Sequence, residues 1–299
     1  MDVERYLLVV ADDYGIGPNT SEGILDLAQQ GLVTATVLLV NSPFAEQAVR
    51  QWRKSGLPLE IGWHPCLNLD GPILPLDQVP SLVTADGQFL PLGQFIPRML
   101  GGLLSAKEIH AELLAQYSRF QELIGSPPTF VNAHKHLHAF GPVGVVLREI
   151  LAKQNPLPYI RRVRESWRTL YGVKGGRFKR VILSSVGNRQ GARQARSGFP
   201  GNDWLAGITD APCVADPEFL CRWLEHIPGN VVELTCHPGY RDTTLAPRDC
   251  PVYELDRRPR EMELLRAPSF LDACRKAGFR LVSPSELARL QSCTAASAA

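Results

Sequence analysis

The sequence predicts a single-domain α/β protein built as a distorted, TIM-barrel-like (β/α) barrel of about seven strands. Three observations carry that reading. Short apolar runs alternate with amphipathic helical stretches, the pattern of parallel βαβ units with right-handed crossovers. The chain's 299 residues exceed what one open domain usually needs and suit a barrel. Polar residues of catalytic type recur where the predicted strands end, and in a parallel barrel those ends share one face.

The elements follow in order. YLLVVAD, residues 6–12, is a short apolar run read as a buried strand. NTSEGILDLAQQGL has a polar start, apolar residues at helical spacing and Gly31 as its stop. VTATVLLVN, rich in β-branched residues, is a second strand, PFAEQAVRQWRKSG a helix and LEIGWH a third strand. The longest amphipathic helix starts at Ser105, with Glu108 three residues on in a capping-box pattern. TFVNAH then reads as a strand and PVGVVLREILAKQ as a helix. NVVELTCHPG is a strand, and RPREMELLRAPSFLDACRKAG a helix broken at Pro268. FRLVS is the last strand, and PSELARL a closing helix capped by Ser283.

The barrel is thereby expected over residues 1–290, with QSCTAASAA, residues 291–299, as a disordered tail. Two stretches break the rhythm. Residues 65–104 are rich in proline and glycine and read as a long loop or β-excursion. Residues 159–196 carry eleven Lys/Arg against one acid, Glu165, so a basic insertion is expected at about 159–200. Either it is a solvated helical face, or it meets an anionic or membrane-bound substrate through Arg161, Arg162, Arg164, Arg168 and Trp167.

Global properties exclude several classes. A net charge of +2 gives no argument for nucleic acid. The apolar run after Arg5 meets two aspartates within a few residues, so it reads neither as a signal peptide nor as a membrane anchor. The expectation is a soluble cytoplasmic protein, with peripheral attachment to the inner membrane and a homodimeric state left open. Seven scattered cysteines without a C-x-x-C pair read as reduced thiols rather than disulfides or a cysteine zinc site.

Four polar signals sit at predicted strand ends: Asp12-Asp13, His64, the cluster His134, His136 and His138, and His237. Adjacent aspartates repel unless a cation or proton offsets them. Neighbours on an extended backbone point to opposite sides, so one can grip a metal while the other faces substrate. A plain turn is the alternative for this pair. An Asp/His/His set leaves coordination positions open, as catalysis requires. Its mixed oxygen and imidazole donors suit Zn²⁺, with Co²⁺, Ni²⁺, Mn²⁺ or Mg²⁺ as alternatives, although a purely Mg²⁺ site would want more oxygens. Continued strand would put residues 134, 136 and 138 on one face, and a helical turn would pair 134 with 138. His134, nearest the strand end, is the favoured ligand. His136 and His138, together with Tyr14 and Arg161, are candidates to touch substrate or to back the ligands. His237 has a side chain suited to proton delivery to a leaving group.

These motifs resemble the YdjC-like carbohydrate deacetylases. VVADDYG is similar to that family's NADDFG opening, IGWHPCLNL to its GLHLNL segment, NAHKHLHAF to its SHxHxHxxP segment and TCHPG to its CHPA/G turn. They occur in the family's order over nearly the whole chain. VNAHKHLH and VPSLVTADGQF are most similar to the hopanoid biosynthesis-associated branch, thought to act on an N-acetylglucosaminyl hopanoid lipid. The resemblance implies a distorted barrel and one divalent metal on Asp13, His64 and His134. It further implies Asp12 as catalytic base and His237 as acid or transition-state stabiliser. The activity implied is removal of acetyl from an N-acetylated amino sugar or glycolipid. Tyr14 stands where the family usually has Phe, Pro65-Cys66 interrupts the HLNL pattern, and Phe140-Gly141 alters the HP ending. Two rival functions remain: a metal-dependent phosphoesterase on a similar barrel, and a non-catalytic carbohydrate- or lipid-binding barrel.

Overall fold

The computed structural model describes residues 4–246 and 248–297. Among them, eight parallel strands make one sheet: β1 (Arg5–Tyr14), β2 (Ala35–Leu38), β3 (Glu60–Trp63), β4 (Phe130–Val131), β5 (Tyr159–Ile160), β6 (Trp204–Ala206), β7 (Val231–Cys236) and β8 (Phe279–Leu281). Seven lie in the order β5-β4-β3-β2-β1-β7-β6. The eighth pairs with Arg5 to Leu7 of β1, below the point where β2 begins at Val10. The helices packed outside are α1 (Pro18–Gln29), α2 (Ala45–Ser55), α3 (Leu92–Leu100), α4 (Ala106–Ile124), α5 (Gly141–Leu151), α6 (Trp167–Gly172), α7 (Arg177–Arg196), α8 (Phe219–His226), α9 (Arg257–Arg266), α10 (Pro268–Lys276) and α11 (Pro284–Ser297). This is the predicted distorted single-domain barrel.

β1 is the axis. It is buried from Leu7 to Tyr14 and pairs with β2, β7 and β8. Apolar side chains on both faces of a strand fit a parallel sheet covered by helices. Ser105 caps α4 with its side chain accepting the Glu108 N–H, but the reciprocal half of the capping box does not form, because the Glu108 carboxylate accepts the Ser81 N–H and the Ser105 N–H donates to the Ser81 hydroxyl.

The sheet's two outer strands are joined by irregular backbone. Ile160 N–H donates to the Pro200 carbonyl and Leu205 N–H to the Arg164 carbonyl. Between them Asn202, fully buried, substitutes for a strand: its Oδ1 accepts the Arg162 N–H at 2.7 Å and its Nδ2 donates to the Arg162 carbonyl at 2.9 Å.

The structure adds detail to four of these readings. β5 and β6 are too short to form an apolar run, so the sequence concealed them inside and after the basic stretch. That stretch is not a uniform insertion, because it contributes β5 to the sheet and buries Arg161 and Arg180 completely. Residues 65–104 hold a 3₁₀ turn at Leu76–Gln78, a bridge between Val83 and Phe89, and helix α3. Glu112 of α4 pins this excursion by accepting the backbone N–H groups of Ile73 and Leu74, each at 3.0 Å. The tail continues α11 to Ser297, since alanine-rich sequence extends an existing helix without a new nucleus. Residues 298–299 lie outside the described residues. The described cysteines are free thiols, as expected.

Replacing Asn202 strips two backbone groups of Arg162 of their partners. Asn202→Ala is expected to lose about 2–4 kcal/mol of stability, read as a lower urea midpoint at unchanged slope.

Candidate active site

The candidate side chains gather at the C-terminal ends of β1, β3, β4 and β7. At the end of β1 the pairing with β2 shifts register between Ala11 and Tyr14, and Asp13 takes a left-handed backbone with φ 69°. That conformation costs an L-residue about 1–2 kcal/mol, and aspartate is one of the few types that tolerates it. The irregularity sends the two carboxylates into separate surroundings.

Asp13 faces two imidazoles. Its Oδ1 lies 2.9 Å from His134 Nδ1 and 3.2 Å from His64 Nε2, and all three side chains are buried. Its Oδ2 is held at 2.7 Å by Arg258. His64 donates its Nδ1–H to the Asn132 carbonyl at 2.8 Å, so in the neutral ring Nε2 is a bare lone pair aimed at a carboxylate oxygen. Two acceptors in that position repel unless a cation or a proton lies between them. His134 Nε2 is also buried without a hydrogen-bond partner. A nitrogen–nitrogen–oxygen set whose first imidazole is oriented by a carbonyl fits a divalent metal. Among the described residues this is the one such cluster of three or more ligand side chains.

Asp12 faces the barrel interior. Arg161 grips it with two parallel bonds, Nη1 to Oδ2 at 2.6 Å and Nη2 to Oδ1 at 2.8 Å. Thr235 of β7 donates to Oδ2 at 3.0 Å, and Asn132 Nδ2 reaches Oδ1 at 3.3 Å. Burial raises the Asp12 pKa, but the Arg161 charge outweighs it and holds the carboxyl well below its ordinary range. Arg161 also bonds Glu233 through Nε at 2.5 Å, and Tyr159 donates to the same carboxylate at 2.8 Å.

The histidine segment follows neither predicted geometry. β4 stops at Val131, and residues 134–139 form a 3₁₀ turn in which Lys135 and His136 take φ 50° and 57°. His138 is thereby locked into the fold: it accepts the Ala133 N–H at Nδ1, 3.0 Å, and donates Nε2–H to the Arg161 carbonyl, 3.1 Å. With both nitrogens occupied it is not free to ligate or to touch substrate, so it backs the site by holding the turn and Arg161. His136 lines the cavity, and its Nδ1 has no partner. His237, directly after β7, lines the opposite wall. Its backbone N–H donates to Glu261 Oε2 at 2.5 Å, and its Nδ1 lies 4.0 Å from the same oxygen.

Tyr14 leaves the site. It is fully buried in the apolar core with its hydroxyl donating to the Ala48 carbonyl at 2.8 Å, because the irregular end of β1 turns it toward α2. Arg161 is equally buried, so it backs Asp12 and cannot meet a membrane.

Sequence reasoning missed Arg258, Asp249 and Glu261. Asp249 Oδ1 accepts from Lys135 at 3.0 Å and lies 3.9 Å from His134 Nε2, while its Oδ2 is 3.4 Å from Arg258. These residues lie on α9 and the loop before it, where no strand end or motif marks them. The cavity enclosed has a volume of about 440 Å³, within the range of small-molecule sites. Asp12, Asp13, His64 and His237 lie on its lining, with an apolar wall from Leu92 and Ile96 of α3 and Phe178 and Ile182 of α7.

The profile of YdjC-like proteins matches residues 6–276. The chain belongs to the YdjC-like family. It is 31% identical over 292 residues to a chitooligosaccharide deacetylase of Serratia marcescens, covering 95% of this chain and 100% of that one. A chitooligosaccharide deacetylase of Yersinia pestis is 28% identical over 285 residues, with 94% and 98% covered. Among solved structures, a protein of Enterococcus faecalis for which cellobiose-phosphate cleavage is proposed superposes with a TM-score of 0.73 at 25% identity, covering 95% of this chain and 99% of that one.

Burial pushes the His138 pKa down to about 3, from 6.5 for a free imidazole. The folded protein refuses a proton that the unfolded chain takes up. This group's stability contribution is therefore complete above pH 6.5 and falls by up to about 1.4 kcal/mol per pH unit below it, toward pH 3. Urea unfolding at pH 7, 6 and 5 is expected to show that slope, and His138→Gln a shallower one from lower starting stability.

Proposed function

We propose that the cleft hydrolyses the acetamido group of an N-acetylated, chitooligosaccharide-type sugar, with a divalent ion held by Asp13, His64 and His134. Family membership and the deacetylase relatives make the chain a carbohydrate deacetylase. The observation that carries the site assignment is the meeting of one carboxylate oxygen with two buried imidazole nitrogens, beside a second carboxylate that points elsewhere. A bound divalent ion supplies Lewis acidity, polarising the amide carbonyl and lowering the pKa of a water, with Zn²⁺ the preferred identity from the donor set.

The chain's own residues do the rest. Asp12 is the base: each of its oxygens accepts one Arg161 bond, and Oδ1, whose second donor is Asn132 at the longer distance of 3.3 Å against 3.0 Å from Thr235 to Oδ2, is the oxygen that accepts a proton. A carboxylate so strongly held is a weak base, so its contribution depends on an acidified water and on fixed aim. His237, lowered to about 4 by burial, is neutral at pH 7, so before donating to the departing amine it takes up the proton that Asp12 removes from the water. Glu261 holds the backbone of His237 and favours its charged form once that proton arrives. His136 lines the cavity wall beside the place where the sugar would sit.

A finer reading is an N-acetylglucosaminyl hopanoid lipid as substrate. The branch-specific motifs VNAHKHLH and VPSLVTADGQF support it, as does the apolar wall formed by α3 and α7.

Two variants separate the roles. Asp12→Asn is expected to retain about one metal ion per chain while losing roughly 10²–10⁴-fold in acetate release from N-acetylchitooligosaccharides. His134→Ala is expected to lose the ion and activity together. A near-normal rate in Asp12→Asn would remove Asp12 as base, and full metal occupancy in His134→Ala would dismantle the ligand set.

A further inference from the structure

The rim of the cleft carries an apolar and aromatic surface that nothing else in the described structure covers. Trp167 and Tyr171 of α6 are 72% and 74% exposed, with rings stacked at 6.2 Å and 24°. Phe178, at the start of α7, is 82% exposed, and Val181 and Ile182 follow it on the same exposed stretch. Single exposed apolar residues are ordinary, but a contiguous group of this size on one helical pair marks an interaction surface.

Its charge pattern points to the partner. Between Glu165 and Asp203 the chain has no acid, while Arg168, Lys174, Arg177 and Lys179 are exposed among the aromatics. Aromatic side chains interleaved with exposed cations suit the headgroup region of an anionic bilayer, where rings sit at the interface and cations meet lipid phosphates. The buried cations Arg161 and Arg180 take no part, since each is paired to carboxylates inside the fold.

The surface is continuous with the active-site cavity. Trp167 and Val181 line a shallow groove on one side of α7, and Phe178, Lys179 and Ile182 line the catalytic cavity on the other. Across the mouth, Leu92 of α3 is both exposed and part of the cavity wall. A bilayer lying on α6 and α7 meets the opening through which substrate must enter.

We propose that α6 and the first half of α7 dock onto an anionic lipid bilayer, with Trp167, Tyr171 and Phe178 entering the interface and the cleft mouth facing the lipid. This docking stands independently of the deacetylase assignment, because it rests on surface composition and not on the metal site.

The test is co-sedimentation of the full chain with vesicles of phosphatidylcholine alone or with added phosphatidylglycerol, run beside acetate release from a soluble chitooligosaccharide. Binding is expected on the anionic vesicles, weakening about tenfold or more in 0.5 M salt and on phosphatidylcholine alone. Trp167→Ser/Tyr171→Ser and Arg168→Glu/Lys174→Glu are each expected to weaken binding about fivefold or more while leaving soluble-substrate turnover unchanged, since none of the four lines the cavity. Absence of binding to anionic vesicles overturns the proposal, as does binding that neither variant nor salt alters. So does a dimer in solution that Trp167→Ser/Tyr171→Ser dissociates, because the face would then be a contact between two copies. Loss of turnover on every acetylated sugar alongside intact vesicle binding would reject the deacetylase reading and leave the docking standing.

Discussion

Two adjacent carboxylates, both almost wholly withdrawn from water, set the terms for the rest of this structure. Side by side in a medium of low dielectric they would repel each other and resist ionisation. The chain resolves this by giving each its own guanidinium on opposite sides of β1: Arg161 for Asp12 and Arg258 for Asp13. Such pairs need not add net stability over an apolar alternative, but removing one partner leaves a buried charge exposed to a severe penalty. The two arginines arrive from distant parts of the chain, so the strand end that carries both aspartates is intact only when the whole barrel is.

Division of labour follows from that arrangement. Arg258 occupies the outer oxygen of Asp13 and leaves the inner one to the imidazoles. Arg161 sits between Asp12 and Glu233, one cation against two carboxylates, and the Glu233 pKa is raised by burial, which eases the excess of negative charge. Tyr159 and His138 complete the surround, one donating to Glu233 and the other to the Arg161 carbonyl. The polar interior of the barrel is thus a connected set of bonds around one carboxylate. It aims Asp12 at the cleft at the expense of its basicity.

The surrounding frame belongs to the same architecture as the Enterococcus faecalis structure, and the match extends over nearly the full length of both chains. Against that shared frame, the exposed apolar face of α6 and α7 is what the remainder of the molecule does not explain. It lies beside the mouth of the cleft, where it bears on how substrate is presented and not on the bond to be broken.

Much was legible from residue order alone. Sequence pattern located β1, β2, β3, β4, β7 and β8 and most helices, because burial of apolar side chains imposes a local repeat that survives in sequence. The chemical types at strand ends singled out Asp12, Asp13, His64, His134 and His237, since a parallel sheet obliges all those ends onto one face. Tertiary structure alone decided the remainder. β5 and β6 are held by pairing and by Asn202, not by pattern, and so leave no periodic trace. Whether His138 meets solvent or a carbonyl depends on a left-handed turn at Lys135 and His136 that strand and helix templates do not contain. Tyr14 turned into the core, Arg161 turned inward from a run of surface-like cations, and Arg258 and Asp249 came from a separate helix and loop. Partnerships of that kind are made across the fold between groups of opposite charge, and sequence separation carries no record of them.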